Sequence, residues 1–379
     1  PLSQYIHWPF CASKCPYCDF NSHVARTPLP FADYVDALFV DLEADLQTEG
    51  GLPGRTLQTV FFGGGTPSLF PPAEIERILH GVRSRLAIAE DAEITLEANP
   101  GAIEQAYFSG YRQAGVNRLS LGIQSFDDAM LQRLGRIHSA AEAHQAIDAA
   151  QQAGFDNLNL DLMYALPGQQ ATGARQDIEQ AIGCAPTHIS HYQLTLESGT
   201  PFGKQPPTVP DSDLAWAMQD SCQARLTEAG YVQYEVSAYS QPGHEARHNL
   251  NYWGFGDYLG IGAGAHGKIS RNDGHILRRA KRRNPKRYME SIHHPERLEQ
   301  CMMVPDRERP FEFMLNALRL INGVPRDWFS QRSGLADAVI ADRVNDAIAR
   351  GWMSADTTRL RASTFGLRFL NDLIETFLP

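Results

Sequence analysis

Short apolar segments rich in β-branched residues alternate with longer amphipathic segments over the first two thirds of the chain. Apolar runs of about four to eight residues are typical of buried strands, and amphipathic stretches of about ten or more are typical of helices. The predicted strands are 4–7, 58–62, 93–98, 118–123, 157–163, 188–194 and 232–238. The predicted helices are 31–48, 72–86, 103–113, 140–152, 172–182 and 211–228. Strands that alternate with helices in this way predict βαβ units and a parallel sheet.

Six or seven strand–helix repeats fit a barrel better than a small open sheet. We therefore predict an α/β fold with a partial (β/α)6 barrel over residues 1–240 and a small α-rich domain over 309–379. Residues 241–308 are predicted to connect the two. Within them, the glycine-rich stretch 254–267 predicts a packed loop. The basic run 278–287 indicates a solvated loop or helix edge, with binding of an acidic ligand or partner as the alternative.

Composition limits the class of protein. The chain has 379 residues, 43% of them hydrophobic, and a net charge of −10, which disfavours sequence-independent binding of nucleic acid. An apolar run long enough to cross a membrane is lacking, and the first residues do not have the pattern of a signal peptide. We expect a cytoplasmic protein without a transmembrane segment, and these features are compatible with peripheral membrane association.

Three cysteines lie within eight consecutive positions near the N-terminus. Cys11, Cys15 and Cys18 have the spacing C-x3-C-x2-C and directly follow the first predicted strand. Thiols this close together, in a chain without an export signal, favour metal or redox chemistry over disulfides. Three ligands are one short of a closed zinc site or a four-cysteine iron–sulfur cluster. Either His7 or His23 supplies the fourth ligand, or one metal position is left open for a substrate.

Polar residues lie at the ends of several other predicted strands, on the face where barrel folds place their sites. The segment GGGTP (63–67) follows the second strand, and glycines there let the backbone approach a ligand. Glu97, Gln124 and Asp161 end or lie within the next strands, and Arg136 follows Gln124 by twelve residues. Each residue alone could cap a helix, but together they indicate a ligand site beside the cysteines.

A final candidate group is His248-Asn-Leu-Asn-Tyr-Trp253, which runs into the glycine-rich stretch. A histidine beside two aromatic residues could hold a flat apolar ligand, with the imidazole as an iron ligand. The alternative is a packed loop with Trp253 in the core.

These motifs together resemble a known family. The segment from Tyr5 through the cysteines, with GGGTP, LEANP, GIQSF and DLMYALPG, is similar to the radical S-adenosylmethionine (SAM) proteins of the oxygen-independent coproporphyrinogen III oxidase group. The resemblance covers nearly the whole chain, including the C-terminal domain of that group. The decarboxylating oxidases carry a further cysteine two residues past the third ligand, where this chain has Phe20. Phe20 and the HNxxYW motif both resemble the heme-chaperone branch instead.

The resemblance implies a role for each matching position. Three cysteines would hold a [4Fe–4S] cluster whose fourth iron binds SAM, and reduction of SAM would give methionine and a deoxyadenosyl radical. The implied cluster ligands are Cys11, Cys15 and Cys18. The implied SAM contacts are Tyr5, Tyr17, Gly64, Gly65, Thr66, Glu97, Gln124, Arg136 and Asp161. The implied heme contacts are His248, Asn249, Tyr252 and Trp253.

The function implied is that of a heme chaperone, which binds heme as cargo and transfers it to hemoproteins of the respiratory chain, with an electron donor as a further partner. Whether SAM cleavage makes the protein an enzyme is left open by the sequence. Two alternatives are an oxygen-independent coproporphyrinogen III decarboxylase and, from a different class, a structural zinc protein.

Overall fold

A mixed sheet of twelve strands forms the centre of the computed structural model, which describes residues 1–25, 28–48, 52 and 54–379. The strands in chain order are β1 (Leu2–Trp8), β2 (Phe10–Cys11), β3 (His23–Val24), β4 (Leu57–Gly64), β5 (Ile88–Ala98), β6 (Arg118–Gln124), β7 (Asn157–Tyr164), β8 (His188–Gln193), β9 (Val232–Glu235), β10 (Ala238–Ser240), β11 (Asp257–Ile261), β12 (His266–Ser270), β13 (Ile276–Lys281), β14 (Leu298–Met303), β15 (Val324–Pro325) and β16 (Arg359–Leu360). The sheet order is β14-β13-β12-β11-β1-β4-β5-β6-β7-β8-β10-β9.

Helices connect and cover the strands. They are α1 (Phe31–Thr48), α2 (Pro72–Arg83), α3 (Ala102–Ala114), α4 (Asp128–Arg133), α5 (Ala140–Gln152), α6 (Ala171–Gly183), α7 (Pro201–Lys204), α8 (Ser212–Glu228), α9 (Arg247–Trp253), α10 (Pro285–Glu290), α11 (Arg309–Ala317), α12 (Asp327–Ser333), α13 (Ala338–Ala349), α14 (Thr364–Arg368) and α15 (Leu370–Glu375). Short 3-10 turns lie at Pro67–Leu69 and Pro295–Arg297. Within the described ranges, no helix is both long and apolar enough to cross a membrane.

Six neighbouring strands, β1 and β4 to β8, run parallel. The (β/α)6 prediction is confirmed as a partial barrel, because the sheet of the described residues continues at both sides instead of closing. The predicted helices at 31–48 and 140–152 have the observed bounds. The strand predicted at 232–238 is instead two antiparallel strands, β9 and β10, joined by a turn.

The two faces of the parallel strands differ in polarity. Side chains alternate between the two faces along a strand. Every second residue of the parallel strands packs against the helices in one large apolar core, which includes Leu119, Leu121 and Leu160. The residues between them face the concave side of the sheet. There Ser120 donates a hydrogen bond to Asp161 at 3.0 Å across two strands. The barrel interior is therefore polar, and a polar interior suits a ligand site.

The glycine-rich and basic region differs from the sequence-based expectation. The stretch 254–267 is only partly a loop, because it contains β11, which pairs in parallel with β1, and the three strands β12 to β14 continue the main sheet beyond β11. The basic run is not simply solvated either. Lys281 is fully buried, and its Nζ contacts Asp41 at 2.5 Å and Asp45 at 2.7 Å. The domain boundaries at 240 and 308 stay predictions.

The C-terminal part has its own apolar core. Phe313, Phe329 and Ile340 are buried there, together with residues of α15. Phe255 and Trp253 join this core from the preceding region, so that α9 is held between the barrel and the helices that follow.

Candidate functional site

The three cysteines lie on the connection between β2 and β3. Cys11 ends β2 and is buried, whereas Cys15 and Cys18 are partly buried, and all three thiols are free. The N–H of Cys18 donates to the carbonyl of Cys15 at 3.2 Å, and Lys14 Nζ donates to the carbonyl of Ser22 at 2.9 Å. These bonds fold the segment back on itself at the carboxyl end of the first parallel strand.

Two glycines of GGGTP bring the next segment against the cysteine connection. Gly64 has φ of +116°, and a Cβ there would lie 2.7 Å from the carbonyl oxygen of Trp8. A Cβ on Gly65 would lie 2.6 Å from the carbonyl oxygen of Phe10. The Gly65 N–H donates to Trp8 at 2.6 Å. Glycine is therefore needed at both positions because any larger residue would clash with the backbone of β1 and β2 next to the cysteines.

A cavity of about 730 Å³ opens at the carboxyl ends of the parallel strands. All three cysteines line it. Of the nine residues predicted to contact SAM, all except Tyr5 line it as well. Those residues are Tyr17, Gly64, Gly65, Thr66, Glu97, Gln124, Arg136 and Asp161. Tyr5 lies beside the cavity, with its hydroxyl 2.9 Å from Nδ1 of His7. The structure thus brings the predicted positions together around one space.

Two buried carboxyl groups face this cavity. Burial, and then the charge of Asp161, raise the pKa of Glu97 to about 8, although the N–H of Gly64 donates to its Oε2 at 3.2 Å. Burial also raises the pKa of Asp161, which accepts hydrogen bonds from Asn159 and Ser120. Glu97 is consequently protonated near neutral pH and can both donate and accept a hydrogen bond.

Arg136 places a cation beside the cysteines. Its Nη2 donates to Oδ1 of Asn99 at 2.6 Å and to the carbonyl of Gly122 at 2.8 Å. Its Nη1 lies 3.7 Å from Sγ of Cys15. A guanidinium held in this way can bind a carboxylate next to a metal cluster.

The thiols fit a cluster better than a single metal ion. A zinc ion needs all of its ligands within about 2.3 Å of one point. No group of three histidine, cysteine or acidic side chains in the described part of the chain has that arrangement. In a [4Fe–4S] cluster each thiolate binds a different iron, so the sulfurs need not converge. The cavity-lining thiols, with Arg136 nearby, match that donor set.

The two histidines considered as a fourth ligand have other hydrogen-bond partners. Both ring nitrogens of His7 are engaged, Nε2 with the Asn21 carbonyl and Nδ1 with Tyr5, each at 2.9 Å. Burial lowers the pKa of His7 to about 4, so it is neutral at pH 7. Nε2 of His23 lies 3.3 Å from Oδ1 of Asn21. Neither histidine lines the cavity, and the arrangement favours a coordination position open to a ligand.

The HNxxYW segment forms the short helix α9 and not part of a loop. Glu93 accepts hydrogen bonds from the N–H groups of Arg247, at 2.9 Å, and His248, at 3.1 Å. Nδ1 of His248 lies 2.8 Å from the Thr59 hydroxyl, and its ring packs on Phe61 with 4.9 Å between centroids. Burial, and then the charge of Arg118, lower the pKa of His248 to about 3.

The four predicted heme contacts separate in space. Asn249 lines the cavity, whereas His248 does not, although the Phe61 ring on which it packs belongs to the lining. Tyr252 is exposed. Trp253 packs into the C-terminal core, with the Arg319 guanidinium 4.6 Å from its ring centroid. Only Asn249 of the four directly faces the cavity.

Several cavity residues were not predicted from the sequence. These are polar residues on the concave side of the strands and in the segments around them, including Asn99, Arg118, Asn159, Ser190 and Tyr192. A signal was available for some of them in β7, where the sequence Asn-Leu-Asn-Leu-Asp-Leu alternates polar and apolar residues. Such alternation in a strand with helices outside predicts a polar inner face.

Comparison with known proteins gives a consistent result. Residues 5–181 match the radical SAM superfamily, and residues 304–369 match the HemN C-terminal domain. The chain is 47% identical over 378 residues to the heme chaperone HemW of Escherichia coli, which covers 100% of this chain and 98% of that protein. The chain belongs to the HemW family. HemW of Haemophilus influenzae is 46% identical over 379 residues, with 100% and 98% of the two chains covered.

A solved structure shows the same fold as this HemW family member. Coproporphyrinogen III oxidase (HemN) from Escherichia coli, described as a radical SAM enzyme, matches with a TM-score of 0.82 and 20% identity. The match covers 100% of this chain and 90% of HemN. At this identity the likeness concerns the fold alone.

Proposed function

We propose that the protein is a heme chaperone that holds a [4Fe–4S] cluster and SAM in the cavity and passes heme to hemoproteins of the respiratory chain. The observation that carries the proposal is the 47% identity with the heme chaperone HemW of Escherichia coli along the full length of both chains. Phe20, at the position where the oxidases have a further cysteine, supports the same choice.

The proposed roles follow from the positions around the cavity. Cys11, Cys15 and Cys18 would hold the cluster, and Arg136 would receive the carboxylate of SAM beside them. Protonated Glu97 and the backbone of Gly64 and its neighbours would orient the rest of SAM. When bound, the cluster and SAM would supply one-electron chemistry, for which an electron donor is required. The residues of the chain would bind the cluster and SAM, orient them and shield them from solvent.

The second candidate function is decarboxylation of coproporphyrinogen III. The likeness to HemN, with a TM-score of 0.82, favours it as far as the fold goes. Phe20 lines the cavity with 60% of its surface accessible and has no thiol to offer. We therefore expect no protoporphyrinogen from an anaerobic assay with SAM and reductant. Sustained turnover in that assay would replace the chaperone proposal by the oxidase.

For heme, the segment 248–253 remains the proposed contact. The Thr59 hydroxyl donates to Ser3, so Nδ1–H of His248 donates to Thr59 and Nε2 keeps the lone pair that an iron ligand needs. Because His248 packs on Phe61 and does not itself line the cavity, ligation of heme in the cavity requires one of these two rings to move. The proposal also includes a cytoplasmic location, which cell fractionation tests.

Anaerobic reconstitution tests the cofactor part of the proposal. Each of the variants Cys11→Ser, Cys15→Ser and Cys18→Ser should lose the visible absorbance of the cluster and should no longer bind its iron, because each thiolate binds one iron. Cys301→Ser is the matched control, since that thiol is exposed and outside the cavity. Stoichiometric zinc without iron would favour the structural zinc protein.

Heme binding and transfer test the chaperone part. Titration of the reconstituted protein with heme should give a saturable Soret band, and mixing with an apo-hemoprotein should move heme to the acceptor. Retention of heme in the presence of the acceptor would contradict the chaperone role. SAM should change the EPR spectrum of the reduced cluster.

A further inference from the structure

Arg118 is a buried arginine to which the cofactor roles above assign no task. It begins β6, only 2% of its surface is accessible, and it faces the cavity. Its Nε is buried without a hydrogen-bond partner. Across the described residues, its guanidinium makes neither an ion pair within 4.0 Å nor a side-chain hydrogen bond. An arginine at such a depth is normally paired.

The surrounding groups supply only part of the missing counter-charge. Glu97 is protonated near neutral pH because its pKa is raised to about 8. The charge of Asp161 interacts with that of Arg118, but the two make no ion pair within 4.0 Å, and the Asp161 oxygens accept hydrogen bonds from Ser120 and Asn159. His188 is neutral, since burial lowers its pKa well below the usual value. A buried cation with so little compensation favours binding of an anion from outside.

The cavity contains two cations at different depths. Arg136 lies beside the cysteines and donates to the carbonyl of Gly122, four residues further along β6 than Arg118. At about 3.3 Å per residue, roughly 13 Å of strand separates the two levels. Both side chains line the same cavity. A carboxylate bound to Arg136 at the cysteine end therefore leaves the deeper guanidinium of Arg118 free to bind a second carboxylate.

Part of the cavity lining is apolar. Phe61, Met163 and Tyr192 all line the cavity, and 41% of the Tyr192 surface is accessible to solvent. A flat ring system with carboxylate arms matches apolar walls that end in a guanidinium, whose planar fork binds carboxylates in a bidentate manner.

We propose that Arg118 forms a carboxylate-binding site at the base of the cavity, and that a propionate of the porphyrin cargo binds there. This inference rests on the proposed heme-chaperone function and adds to it the group that recognises the cargo. The other source of the same chemistry is the carboxylate of SAM.

Two heme probes and one variant test the site. The reconstituted wild-type protein is titrated with heme and with heme dimethyl ester, in which both propionates are neutral. We expect heme to bind about 10- to 100-fold more tightly, as for hydrogen bonds to charged groups. Arg118→Gln should remove that preference and leave SAM affinity unchanged. Arg307→Gln, an exposed arginine outside the cavity, should behave as wild type.

Each outcome has a separate meaning. Equal binding of heme and its ester to the wild-type protein overturns the site without any variant, so a folding defect of Arg118→Gln cannot obscure the answer. Arg118→Lys keeps the charge and should retain part of the preference. Loss of SAM affinity, with heme affinity kept, would assign the carboxylate to SAM and overturn the cargo assignment. Absence of heme binding by the wild-type protein would contradict the proposed function itself.

Discussion

Nδ1 of His248 lies 2.8 Å from the hydroxyl oxygen of Thr59, although the two residues are 189 positions apart. Thr59 lies on the concave side of β4, and His248 belongs to α9, so this hydrogen bond attaches the HNxxYW helix to the base of the barrel. Asn251 of the same helix donates to Ser3 at 2.7 Å and makes a second attachment.

Removal of the imidazole should therefore destabilise the fold. We expect His248→Ala to lower the free energy of unfolding by about 1–3 kcal/mol, because the variant loses a hydrogen bond at a largely buried site and packing against Phe61. Denaturant unfolding of the cofactor-free protein measures the change.

Thr59→Val is the matched variant, since it removes the same hydrogen bond and keeps the imidazole ring. A shifted Soret band in folded His248→Ala, but not in Thr59→Val, would identify His248 as an iron ligand, and unchanged stability would contradict the attachment.

Asn21 joins the cysteine connection to the glycine-rich region. Its Nδ2 donates to the carbonyl of Ala263 at 2.8 Å and to that of Arg283 at 2.9 Å. We expect Asn21→Ala to release iron from the reconstituted cluster faster, because the segment after Cys18 loses both bonds, and to lower stability by about 1–3 kcal/mol. A chelator assay follows the iron. Asn322→Ala, at an exposed position, is the control, and equal iron release in the two variants would rule out this role for Asn21.

Lys281 is the centre of a buried charge network with Asp41 and Asp45. Lys281→Met should lower the free energy of unfolding by about 3–5 kcal/mol, since it leaves buried carboxylates with less compensation. Lys286→Met is the control, because the Lys286 side chain is 82% exposed. This variant should change the free energy of unfolding by less than about 0.5 kcal/mol. Similar unfolding curves for both variants would mean that the buried network contributes little.

Several buried histidines make the fold sensitive to acid. Burial lowers the pKa of His191 from 6.5 to about 3. Between these values the unfolded chain binds a proton that the folded chain does not, so stability is complete above about pH 6.5 and falls as the pH decreases towards 3. His191→Phe should reduce this slope by up to about 1.4 kcal/mol per pH unit. Urea unfolding at several pH values measures it, with exposed His293→Gln as the control; an unaltered slope in His191→Phe would be inconsistent with a buried neutral His191.

Regular periodicity explains which elements could be predicted. The helices at 31–48 and 140–152 have long amphipathic patterns, and Ser139 and Glu142 form a capping box at the start of the second. By contrast, β11 lies in the glycine-rich stretch and β13 overlaps the basic run 278–287, and both compositions are typical of loops. The strand conformation of β11 depends on pairing with β1, a partner more than 250 positions away, and β13 pairs with β12 and β14. No local sequence pattern contains these partners.

The candidate site likewise contains residues that could be predicted from the sequence and residues that could not. Motifs in the sequence were sufficient to place the cysteines, GGGTP, Glu97 and Asp161 around one cavity. Arg118 was missed because a single arginine at the start of a strand resembles a solvent-exposed end. In the fold its charge reaches His188 and His248, which come from distant parts of the chain, and no local pattern contains these neighbours.

The pairing of β1 with β11 has a consequence for synthesis of the protein on the ribosome. Gln4 donates its side-chain amide to the carbonyl of Leu259, 255 residues later. At about 5–20 residues per second, roughly 10–50 s pass between emergence of these two strands. During that interval the apolar strand β1 has an open edge, which can pair with other nascent chains. The pairing of β1 is thus completed only when β11 has been made, and protection of β1 before then depends on the speed of translation and on factors that shield strand edges.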